Sequence, residues 1–445
     1  MSHSESVGAT HPVSAMDFMP RERLRVIQTE NLKHMVDISY ANVPLFRQRM
    51  DERGLTPADI QSIDDIAKLP FTMKADLRDT YPYGLFAAPM KDVVRLHASS
   101  GTTGKPIVVG YTQEDVDDWS YAVARAFAAC GVREGDVAQV SYGYGLFTGG
   151  LGAHYGLEKL GATVVPASGG NTERQIMLIK DFGVTCIACT PSYFTHLLEV
   201  ADRMGVDMRE LPLRVGVFGA EPWTEEMRAH IEKKAGIKAF DIYGLSEITG
   251  PGVGCSCGCG EGLHIFEDLF YPEIIDPQTG EVLPDGEEGE LVLSTLSKDA
   301  MPMLRYRTRD ISKILTEPCA CGRTIRRIAK IARRSDDMFI IRGVNVFPSQ
   351  IEAAIMKVEE VLPVYQIVLT RSHGLDNVEV DIEVNDTLFK DTVSGIEDVK
   401  NRIAQSIEHT LGIRVFVRMM SPNSIPRSEG KAKRVIDQRD LNAGL

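Results

Sequence analysis

The sequence predicts an α/β fold in which a large domain of helix-covered sheets, with a β-rich lobe, precedes a small α+β domain. A length of 445 residues exceeds what one compact core usually takes, so two or three domains are expected. From about residue 95, short β-rich segments alternate with amphipathic helical segments, which is typical of parallel sheets covered by helices. After a charged segment near residue 333, a smaller unit with its own pattern begins.

The predicted elements follow from local patterns. Residues from about 20 to 90 are predicted to be helical, because residues 21–42 place apolar side chains at helical intervals and end before Pro44. From about residue 267, turn residues separate extended segments and predict hairpins. The predicted strands between these regions are VVRLHAS, VAQVSYG, ATVVPAS, VTCIACT, LRVGVFGA and KAFDIYG.

The carboxyl-terminal part has its own order of predicted strands and helices. FIIRGVNVFP predicts paired strands, PSQIEAAIMKVEEV a helix headed by Pro348 and Ser349, and EDVKNRIAQSIEHTLG a second helix. The first twenty residues are rich in Ser, Gly, Thr and Pro and lack Lys and Arg. We therefore divide the chain into a flexible arm (1–20), a large domain (21–335) and a small domain (336–445).

Composition excludes several classes of protein. Lys and Arg total 49 and Asp and Glu total 62, so the net charge of −13 argues against binding to nucleic acid or to an anionic membrane. No apolar stretch approaches the roughly 18–20 residues of a membrane-spanning helix. The amino terminus also lacks the pattern of a signal peptide, so a cytoplasmic protein is predicted.

Cysteine placement predicts a metal site. Five of the 8 cysteines fall in two clusters, CSCGC (255–259) and CAC (319–321). Closely spaced cysteines in a chain without an export signal are more typical of metal ligands than of disulfides, and four closed ligands would make a structural Zn²⁺ site. Free thiols are the alternative. Cys255 is expected to be the spare residue, and the candidate ligands are one or both of Cys257 and Cys259, together with His264, Cys319 and Cys321. The other three cysteines, Cys130, Cys186 and Cys189, are expected to be buried core residues.

A Gly-rich segment follows the first predicted strand. Its glycines allow backbone N–H groups to approach an anion, and its hydroxyls and lysine add donors for phosphate oxygens. The spacing departs from the G-x-x-x-x-G-K-[ST] P-loop, which argues against a kinase or NTPase of that kind. The segment predicts phosphate binding, with a polar hairpin turn as the alternative. Its residues are Ser99, Ser100, Gly101, Thr102, Thr103, Gly104 and Lys105.

This segment resembles the phosphate loop of adenylate-forming enzymes, the superfamily of acyl-CoA synthetases, adenylation domains and luciferases. Further stretches occur in the order typical of that superfamily, and the resemblance extends from about residue 20 to the end. The stretches YGYGLFTGGLGAHYG (142–156) and RGVNVFPSQIE (342–352) are similar to ligases that join aryl-acetic acids to coenzyme A. The superfamily stretches are FGAEPW (218–223), YGLSE (243–247), YRTRD (306–310), RRSDDMFIIRG (333–343) and PRSEGKAKR (426–434).

The resemblance implies roles in nucleotide binding. Tyr243 would stack on adenine, Ser246 would lie near the α-phosphate, and Glu247 would help to hold Mg²⁺, which prefers carboxylate and phosphate oxygens. Asp310 would accept the ribose hydroxyls, although an isolated Asp after two arginines is more often part of a surface ion pair. The adenine-pocket segment corresponds to Gly219, Ala220, Glu221 and Pro222.

The same resemblance implies a small mobile domain that carries a catalytic lysine. Arg334 and Asp336 match the junction about which the small domain rotates, but Arg333 replaces the usual glycine there. Lys431 would bridge the carboxylate and the α-phosphate, and Gly343 would line a tunnel for the pantetheine arm of coenzyme A. A solvated role is expected for Lys433.

An aryl pocket is also implied by the resemblance. Flat rings suit an apolar cavity with aromatic walls, and the glycine-rich stretch at 142–156 favours the close approach of a ligand. Ordinary core packing is the alternative for the two aromatic residues. The matching positions are Tyr142, Phe147, Ala220, Ile242 and Pro251.

The resulting expectation is an enzyme that uses ATP and Mg²⁺ to join phenylacetate, or a close aryl acid, to coenzyme A through acyl-AMP, releasing AMP and pyrophosphate. Three alternatives stay open: another aromatic acid such as indoleacetate or benzoate, a carrier protein as the acceptor, or an inactive relative that only binds nucleotide. The resemblance also implies a homodimer, because dimers are common among the enzymes of this superfamily.

Overall fold

The computed structural model describes residues 11–99, 106–331, 333–335, 338–341, 344–358, 361–372, 375–384, 393–427 and 432–439. The chain divides into two compact units. The first comprises Met1–Cys189, Glu210–Ala220 and Lys238–Ile331, and the second comprises Thr190–Arg209, Glu221–Ile237 and Ala332–Leu445. The second unit thus includes two segments that precede the predicted boundary at residue 335, and that boundary stays a prediction.

Helices form most of the amino-terminal part of the first unit, as the sequence predicted. Pro44 starts α2, where its missing N–H removes no helical hydrogen bond, so α1 ends just before it. Buried Leu24, Leu32, Met35 and Val36 follow helical spacing along α1 and join the core of this unit. The helices of the first unit are α1 (Arg21–Asn42), α2 (Pro44–Glu52), α3 (Lys74–Asp79), α4 (Gln113–Ala129), α5 (Thr148–Leu160) and α6 (Thr172–Asp181).

The strands of the first unit form a hairpin and two larger sheets. They are β1 (Arg95–Ala98), β2 (Val108–Tyr111), β3 (Val137–Val140), β4 (Thr163–Val165), β5 (Cys186–Cys189), β6 (Val215–Phe218), β7 (Lys238–Leu245), β8 (Gly250–Cys255), β9 (Leu263–Ile265), β10 (Phe270–Ile275), β11 (Gly289–Thr295), β12 (Tyr306–Ser312), β13 (Ile314–Leu315) and β14 (Arg327–Ile328).

A nine-stranded sheet in the order β13-β14-β9-β8-β7-β6-β5-β3-β4 contains the predicted site residues Ile242, Tyr243, Pro251 and His264. Strands β4, β3, β5, β6 and β7 run parallel, whereas β7, β8, β9, β14 and β13 pair antiparallel. Every residue of β5 and β6 is buried, which is typical of strands in the middle of a parallel sheet. The prediction that Cys130, Cys186 and Cys189 are buried is confirmed.

A second sheet of the first unit contains β10, β11 and β12 in antiparallel pairs, which confirms the predicted change from α/β alternation to hairpins. Strands β1 and β2 form a separate antiparallel hairpin. Next to this hairpin the backbone N–H of Ser99 donates to the carbonyl of Ile107 at 3.0 Å, so the pairing of the two strands extends to these two residues.

The second unit has the predicted α+β character in its carboxyl-terminal part. Strands β16 and β17 form a hairpin, and a mixed sheet has the order β20-β19-β18-β21. Its core includes Ile351, Ile355, Ile367, Val380 and Ile403, all fully buried. The elements are α7 (Pro191–Met204), α8 (Glu225–Ala235), β15 (Arg333–Arg334), β16 (Phe339–Ile341), β17 (Val344–Val346), α9 (Pro348–Met356), β18 (Val361–Ser372), β19 (Leu375–Val384), α10 (Val393–Leu411), β20 (Phe416–Met420) and β21 (Val435–Asp437).

Part of the predicted flexible arm is ordered. Residues Pro12–Phe18 form a 3₁₀ helix in which Asp17 is fully buried. Its carboxylate accepts hydrogen bonds from Arg125 Nε at 2.8 Å and Arg323 Nε at 3.0 Å, and Arg125 donates two more to Asp268. Long-range ion pairs thus hold residues 12–18, a segment that looks unstructured by composition, and the extent of the flexible arm stays a prediction. Residues 1–10 lie outside the described residues.

Among the helices that the structure describes, none combines the length and the apolar character needed to cross a lipid bilayer.

Candidate active site and metal centre

Tyr243 and Asp310, predicted to contact adenine and ribose, lie against each other. Tyr243 belongs to β7 and Asp310 to β12, so two different sheets supply them. The Tyr243 hydroxyl donates to Asp310 Oδ2 at 2.5 Å, and the Asp310 residue is only 3% exposed. A short hydrogen bond to a buried carboxylate orients both side chains. The structure thus places an aromatic face beside a hydrogen-bond acceptor, as nucleoside binding requires.

Ser246 and Glu247 follow directly in the turn between β7 and β8. The Ser246 hydroxyl lies 3.2 Å from the hydroxyl of Thr148, the first residue of α5. Glu247 is buried, and its carboxylate Oε1 lies 3.9 Å from Lys74 Nζ on α3. This turn presents a hydroxyl and a carboxylate within four residues of Tyr243, and a carboxylate oxygen is a suitable ligand for Mg²⁺.

Sequence reasoning missed a set of buried donors beneath this turn. Lys298 Nζ donates to the carbonyl of Ile248 at 2.8 Å and to that of Glu247 at 3.3 Å. The Tyr111 hydroxyl donates to the carbonyl of Thr249 at 2.8 Å. Burial lowers the pKa of Lys298 to about 8. In the sequence, Lys298 is a single lysine after the apolar strand β11. The local pattern does not distinguish such a lysine from a surface residue.

The predicted aryl-pocket residues lie mainly along one face of α5. A Cβ atom at Gly149 would lie 2.6 Å from the ring of Phe147 and 3.4 Å from that of Tyr142. One turn further, a Cβ at Gly152 would lie 2.5 Å from the indole of Trp119 and 2.9 Å from Pro251. Residues three apart share a helix face, so the two glycines allow these rings to approach the helix backbone.

The two aromatic residues predicted to line the aryl pocket differ in their solvent exposure. Tyr142 is 5% exposed, as a core residue would be, whereas Phe147 is 44% exposed at the start of α5. Trp119 was not singled out from the sequence; its indole nitrogen donates to the carbonyl of Pro251 at 2.9 Å. The structure therefore adds a tryptophan to this apolar group.

The turn after β6 holds Gly219 and Ala220 next to Ile242. A Cβ atom at Gly219 would lie 2.4 Å from the carbonyl oxygen of Ile242, so only glycine fits there without displacement of the backbone. Ala220 has a φ of 72°, which a residue with a Cβ seldom adopts. Such local strain often accompanies a binding site. Ile242 is 4% exposed and lies on β7, next to Tyr243.

Three further predicted residues belong to the second unit and line a cavity of about 390 Å³ there. The Glu221 carboxylate accepts hydrogen bonds from the backbone N–H groups of Ser192 at 2.8 Å and Ala432 at 2.9 Å. Burial raises the pKa of Glu221 above its ordinary value. The cavity lining includes Glu221, Pro222, Trp223, Arg334, Phe347 and Arg434.

Several predicted residues fall outside the residues that the structure describes, and their roles stay predictions. They include the catalytic lysine, the hinge residue, the tunnel glycine and all but the first residue of the phosphate loop. These residues are Ser100, Gly101, Thr102, Thr103, Gly104, Lys105, Asp336, Gly343 and Lys431.

Four of the five predicted metal ligands meet. The ligand atoms of Cys257, His264, Cys319 and Cys321 all lie within 4.8 Å of one another. His264 Nε2 is 3.4 Å from Cys321 Sγ, and Cys257 Sγ is 3.5 Å from Cys319 Sγ. Hydrogen bonds from Cys257 and from His264 lower the pKa of the Cys321 thiol well below its ordinary value. Three sulfurs and one imidazole nitrogen are therefore close enough together to hold one metal ion.

Strand pairing explains which cysteines meet. Strand β9, which carries His264, pairs with β8 on one side and with β14 on the other. Cys257 follows β8, and Cys319 and Cys321 lie between β13 and β14, so the pairing brings the two cysteine clusters together. Cys259 is not part of this group, and the prediction that included it as a ligand has no support from this geometry.

Two family descriptions match this chain. Residues 24–297 match the AMP-binding enzymes, and residues 343–439 match the C-terminal domain of AMP-binding enzymes. The first match covers more than half of the chain, so the chain belongs to the family of AMP-binding enzymes. The adenylate-forming fold implied by the sequence motifs is confirmed.

Individual relatives narrow the family further. The phenylacetate-coenzyme A ligase of Pseudomonas putida is 53% identical over 419 residues, which cover 94% of this chain and 95% of the relative. That of Escherichia coli K12 is 50% identical over 422 residues, covering 94% and 96%. A crystal structure of 2-hydroxyisobutyryl-CoA ligase with R3-HIB-AMP superimposes with a TM-score of 0.90 at 27% identity, covering 98% and 94% of the two chains. Within the AMP-binding enzymes, the chain groups with the phenylacetate-coenzyme A ligases.

Proposed function

We propose that this chain is an ATP-dependent ligase that joins phenylacetate, or a close aryl acid, to coenzyme A. The observation that carries the proposal is identity of 50–53% over 94% of the chain to relatives named phenylacetate-coenzyme A ligase. The contact between Tyr243 and Asp310 supports it, with Glu247 four residues after Tyr243, because an aromatic ring and two carboxylates are groups that would contact a nucleotide and its Mg²⁺.

The proposed reaction has two steps. A carboxylate oxygen of the aryl acid attacks the α-phosphorus of ATP, the bond from that phosphorus to the pyrophosphate oxygen breaks, and acyl-AMP forms. The thiol of coenzyme A then loses its proton, its sulfur attacks the acyl carbon, and the bond between that carbon and AMP breaks. The products are the acyl thioester, AMP and pyrophosphate.

The first unit would bind the nucleotide. The Tyr243 ring would stack on adenine, and Asp310 would accept hydrogen bonds from the ribose hydroxyls. Ser246 would donate toward the α-phosphate, and Glu247 with phosphate oxygens would hold Mg²⁺. Mg²⁺, when bound, neutralises negative charge on the triphosphate. Lys74 Nζ lies 3.9 Å from Glu247 Oε1, so a second positive charge would lie beside the proposed Mg²⁺ ligand.

The first unit would also bind the acid. The group of Tyr142, Phe147 and Pro251 along α5, with Trp119 beside them, would contact the flat ring of the aryl acid. Ala220 and Ile242 would complete the pocket from the β6 turn and β7. Because a ring substituent in such a pocket shifts selectivity by only about 1–3 kcal/mol per methyl group, the preferred aryl acid has to be measured.

Ser99 and several residues outside the described ranges take the roles that the family motifs imply. The segment from Ser99 to Lys105 would hold the departing pyrophosphate, and Lys431 would neutralise charge between the acid and the α-phosphate. Asp336 would serve as the hinge, and Gly343 would line the path of the pantetheine arm.

Within the second unit, Glu221 and Arg334 line one cavity, and the Glu221 carboxylate already accepts two backbone hydrogen bonds. We therefore assign no adenine contact to the Glu221 carboxylate.

The cluster of Cys257, His264, Cys319 and Cys321 would hold a structural Zn²⁺ ion. Its four donors match the ligands and the number that Zn²⁺ takes in closed sites. All four positions would be filled by protein, so the ion would stabilise the β8–β9–β14 region and take no part in the reaction.

The test is an assay of purified enzyme for pyrophosphate and for the nucleotide product. Pyrophosphate should appear only when ATP, Mg²⁺ and phenylacetate are all present, with AMP as the nucleotide product once coenzyme A is added. A panel of phenylacetate, indoleacetate and benzoate, each with coenzyme A or a phosphopantetheinyl carrier protein, separates the alternatives. Formation of ADP, or no pyrophosphate with any aryl acid, would overturn the proposal.

Two lysine variants provide a matched pair for the same assay. Lys431→Ala should abolish pyrophosphate release while leaving most of the transfer from supplied acyl-AMP to coenzyme A. Lys433→Ala removes an exposed lysine two positions away and should leave both steps unchanged.

A further inference from the structure

Lys298 lies directly beneath the turn that carries Ser246 and Glu247. It is 3% exposed, and its ammonium group donates to the carbonyls of Glu247 and Ile248 at 3.3 and 2.8 Å. Its Nζ also lies 4.6 Å from the ring centroid of Tyr111, within range of a cation–π contact. An ammonium group has three donors, and here two are directed to consecutive carbonyls of one functional turn.

Neighbouring side chains hold the rest of this turn in the same way. Tyr111 donates to the carbonyl of Thr249 and stacks on Trp119 with ring centroids 5.1 Å apart. Trp119 in turn donates to the carbonyl of Pro251. Side chains from β2, α4 and the segment after β11 thus hold the carbonyls of four residues between 247 and 251.

The position of Lys298 is itself fixed. The Asp115 carboxylate, near the start of α4, accepts hydrogen bonds from the backbone N–H groups of Asp299 at 2.7 Å and Ala300 at 2.9 Å. The negative charges that act on the ammonium group are those of Asp115 and Glu247. The positive charge of Lys298 in turn acts electrostatically on His97 of β1. The lysine is therefore anchored through its backbone on one side and directed at the turn on the other.

A neutral donor would satisfy the same carbonyls with a smaller desolvation penalty, because burying an ammonium group is unfavourable unless nearby negative groups compensate. This ammonium group donates to the backbone carbonyl of Glu247, the residue whose carboxylate the proposed reaction uses. That placement argues for a role in arranging the site beyond simple core packing.

We propose that Lys298 is a positioning residue, which fixes the carbonyls of Glu247 and Ile248 so that the Glu247 carboxylate and the Ser246 hydroxyl face the nucleotide. The proposal rests on the proposed function, and it adds a residue to the acyl-adenylate step. Lys298 itself does not touch substrate; it acts through the turn.

The test compares Lys298→Met with wild type in the two half-reactions. Met has a similar length without the charge or the donors. We expect pyrophosphate release to fall about 10- to 100-fold in kcat, as misplacement of reacting groups typically produces. The Mg²⁺ concentration for half-maximal rate should rise several-fold, because Glu247 is no longer held. Transfer from supplied phenylacetyl-AMP to coenzyme A should stay within about twofold, because that step no longer needs the cation and the pyrophosphate site.

Two further variants separate positioning from general stability. Tyr111→Phe removes the donor to the carbonyl of Thr249 and keeps the ring, so it should show the same pattern in milder form. Lys313→Met makes the same chemical change at an exposed lysine and should alter neither half-reaction nor the Mg²⁺ requirement.

An equal loss in both half-reactions, or an unchanged Mg²⁺ requirement in Lys298→Met, would overturn the proposal. Binding of Mg·ATP, measured by titration calorimetry, gives a result that does not depend on turnover. If wild type releases no pyrophosphate with any acid, the proposed function fails. In that event weaker Mg·ATP binding by Lys298→Met still supports the positioning role, and unchanged binding rejects it.

Discussion

Replacing Tyr243 with Phe removes one oxygen atom from the candidate nucleotide site and keeps the aromatic ring. In the structure that oxygen donates to Asp310 Oδ2 at 2.5 Å, and Asp310 is 3% exposed. The substitution therefore separates two contributions to ATP binding. Stacking on the ring is retained, whereas the orientation of the carboxylate that would accept the ribose hydroxyls is lost.

The expected magnitude follows from the kind of hydrogen bond removed. Hydrogen bonds to charged groups contribute about 1.5–3 kcal/mol, and each 1.4 kcal/mol corresponds to a factor of about ten. We therefore expect the KM for ATP to rise roughly 10- to 100-fold in Tyr243→Phe. The KM for phenylacetate should change little, because the ring of the acid is bound along α5 by other residues.

The assay is initial-rate kinetics of pyrophosphate release with ATP and phenylacetate varied separately. Tyr40→Phe is a matched control, because the Tyr40 hydroxyl donates to Asp51 at 2.7 Å on the exposed surface of the amino-terminal helices. It removes the same atom from the same kind of pair and should leave both KM values unchanged. An ATP KM within twofold of wild type in Tyr243→Phe, or an equal rise for both substrates, would refute the reasoning.

Three further predictions concern stability. Arg125→Met should lower the free energy of unfolding by about 3–5 kcal/mol, because it leaves the buried carboxylate of Asp17 without its main partner. Urea denaturation measures this free energy, and a loss under about 1 kcal/mol would contradict the prediction. Cys321→Ser should abolish stoichiometric Zn²⁺ in metal analysis and lower the melting temperature, whereas Cys259→Ser should retain the metal; loss of metal in both would contradict the assigned ligands. For Lys298, the folded pKa of about 8 lies below the ordinary 10.5, so the unfolded chain binds more protons at this residue between these values, and the contribution of Lys298 to stability should rise by about 3 kcal/mol from pH 8 to 10.5. Lys298→Met should lack that gain when unfolding is measured across this pH range, and parallel curves for the two proteins would reject the buried ammonium.

The metal centre shows how much of a site can be predicted from local sequence patterns. Two cysteine clusters and a histidine were enough to predict a site and its candidate ligands. The choice between Cys257 and Cys259 required the pairing of β9 with β8 and β14, because both cysteines lie in the same short turn-rich segment. Sequence spacing does not show which of two cysteines separated by one residue has its sulfur near the other ligands. That depends on how the surrounding strands pair.

Long-range ion pairs and buried donors escaped prediction for a related reason. Asp17 looks like part of a polar tail until Arg125, more than a hundred residues away, is placed against it. Lys298 likewise looks like a surface lysine until β11 and the turn after β7 are brought together. Such buried charged groups are stabilised by partners far away in the sequence, so a local stretch of sequence does not reveal them.

The order of strands and helices, the change from parallel alternation to hairpins, and the residues that match nucleotide-binding motifs all followed from the amino-acid sequence, because hydrophobic period, turn residues and short motifs are local properties. Tertiary structure alone decided that Tyr243 bonds to Asp310, that four of five candidate ligands converge, and that a lysine lies buried under the Glu247 turn. Those outcomes depend on which strands become neighbours, and burial and electrostatic pairing act between atoms that are close in space and distant along the chain.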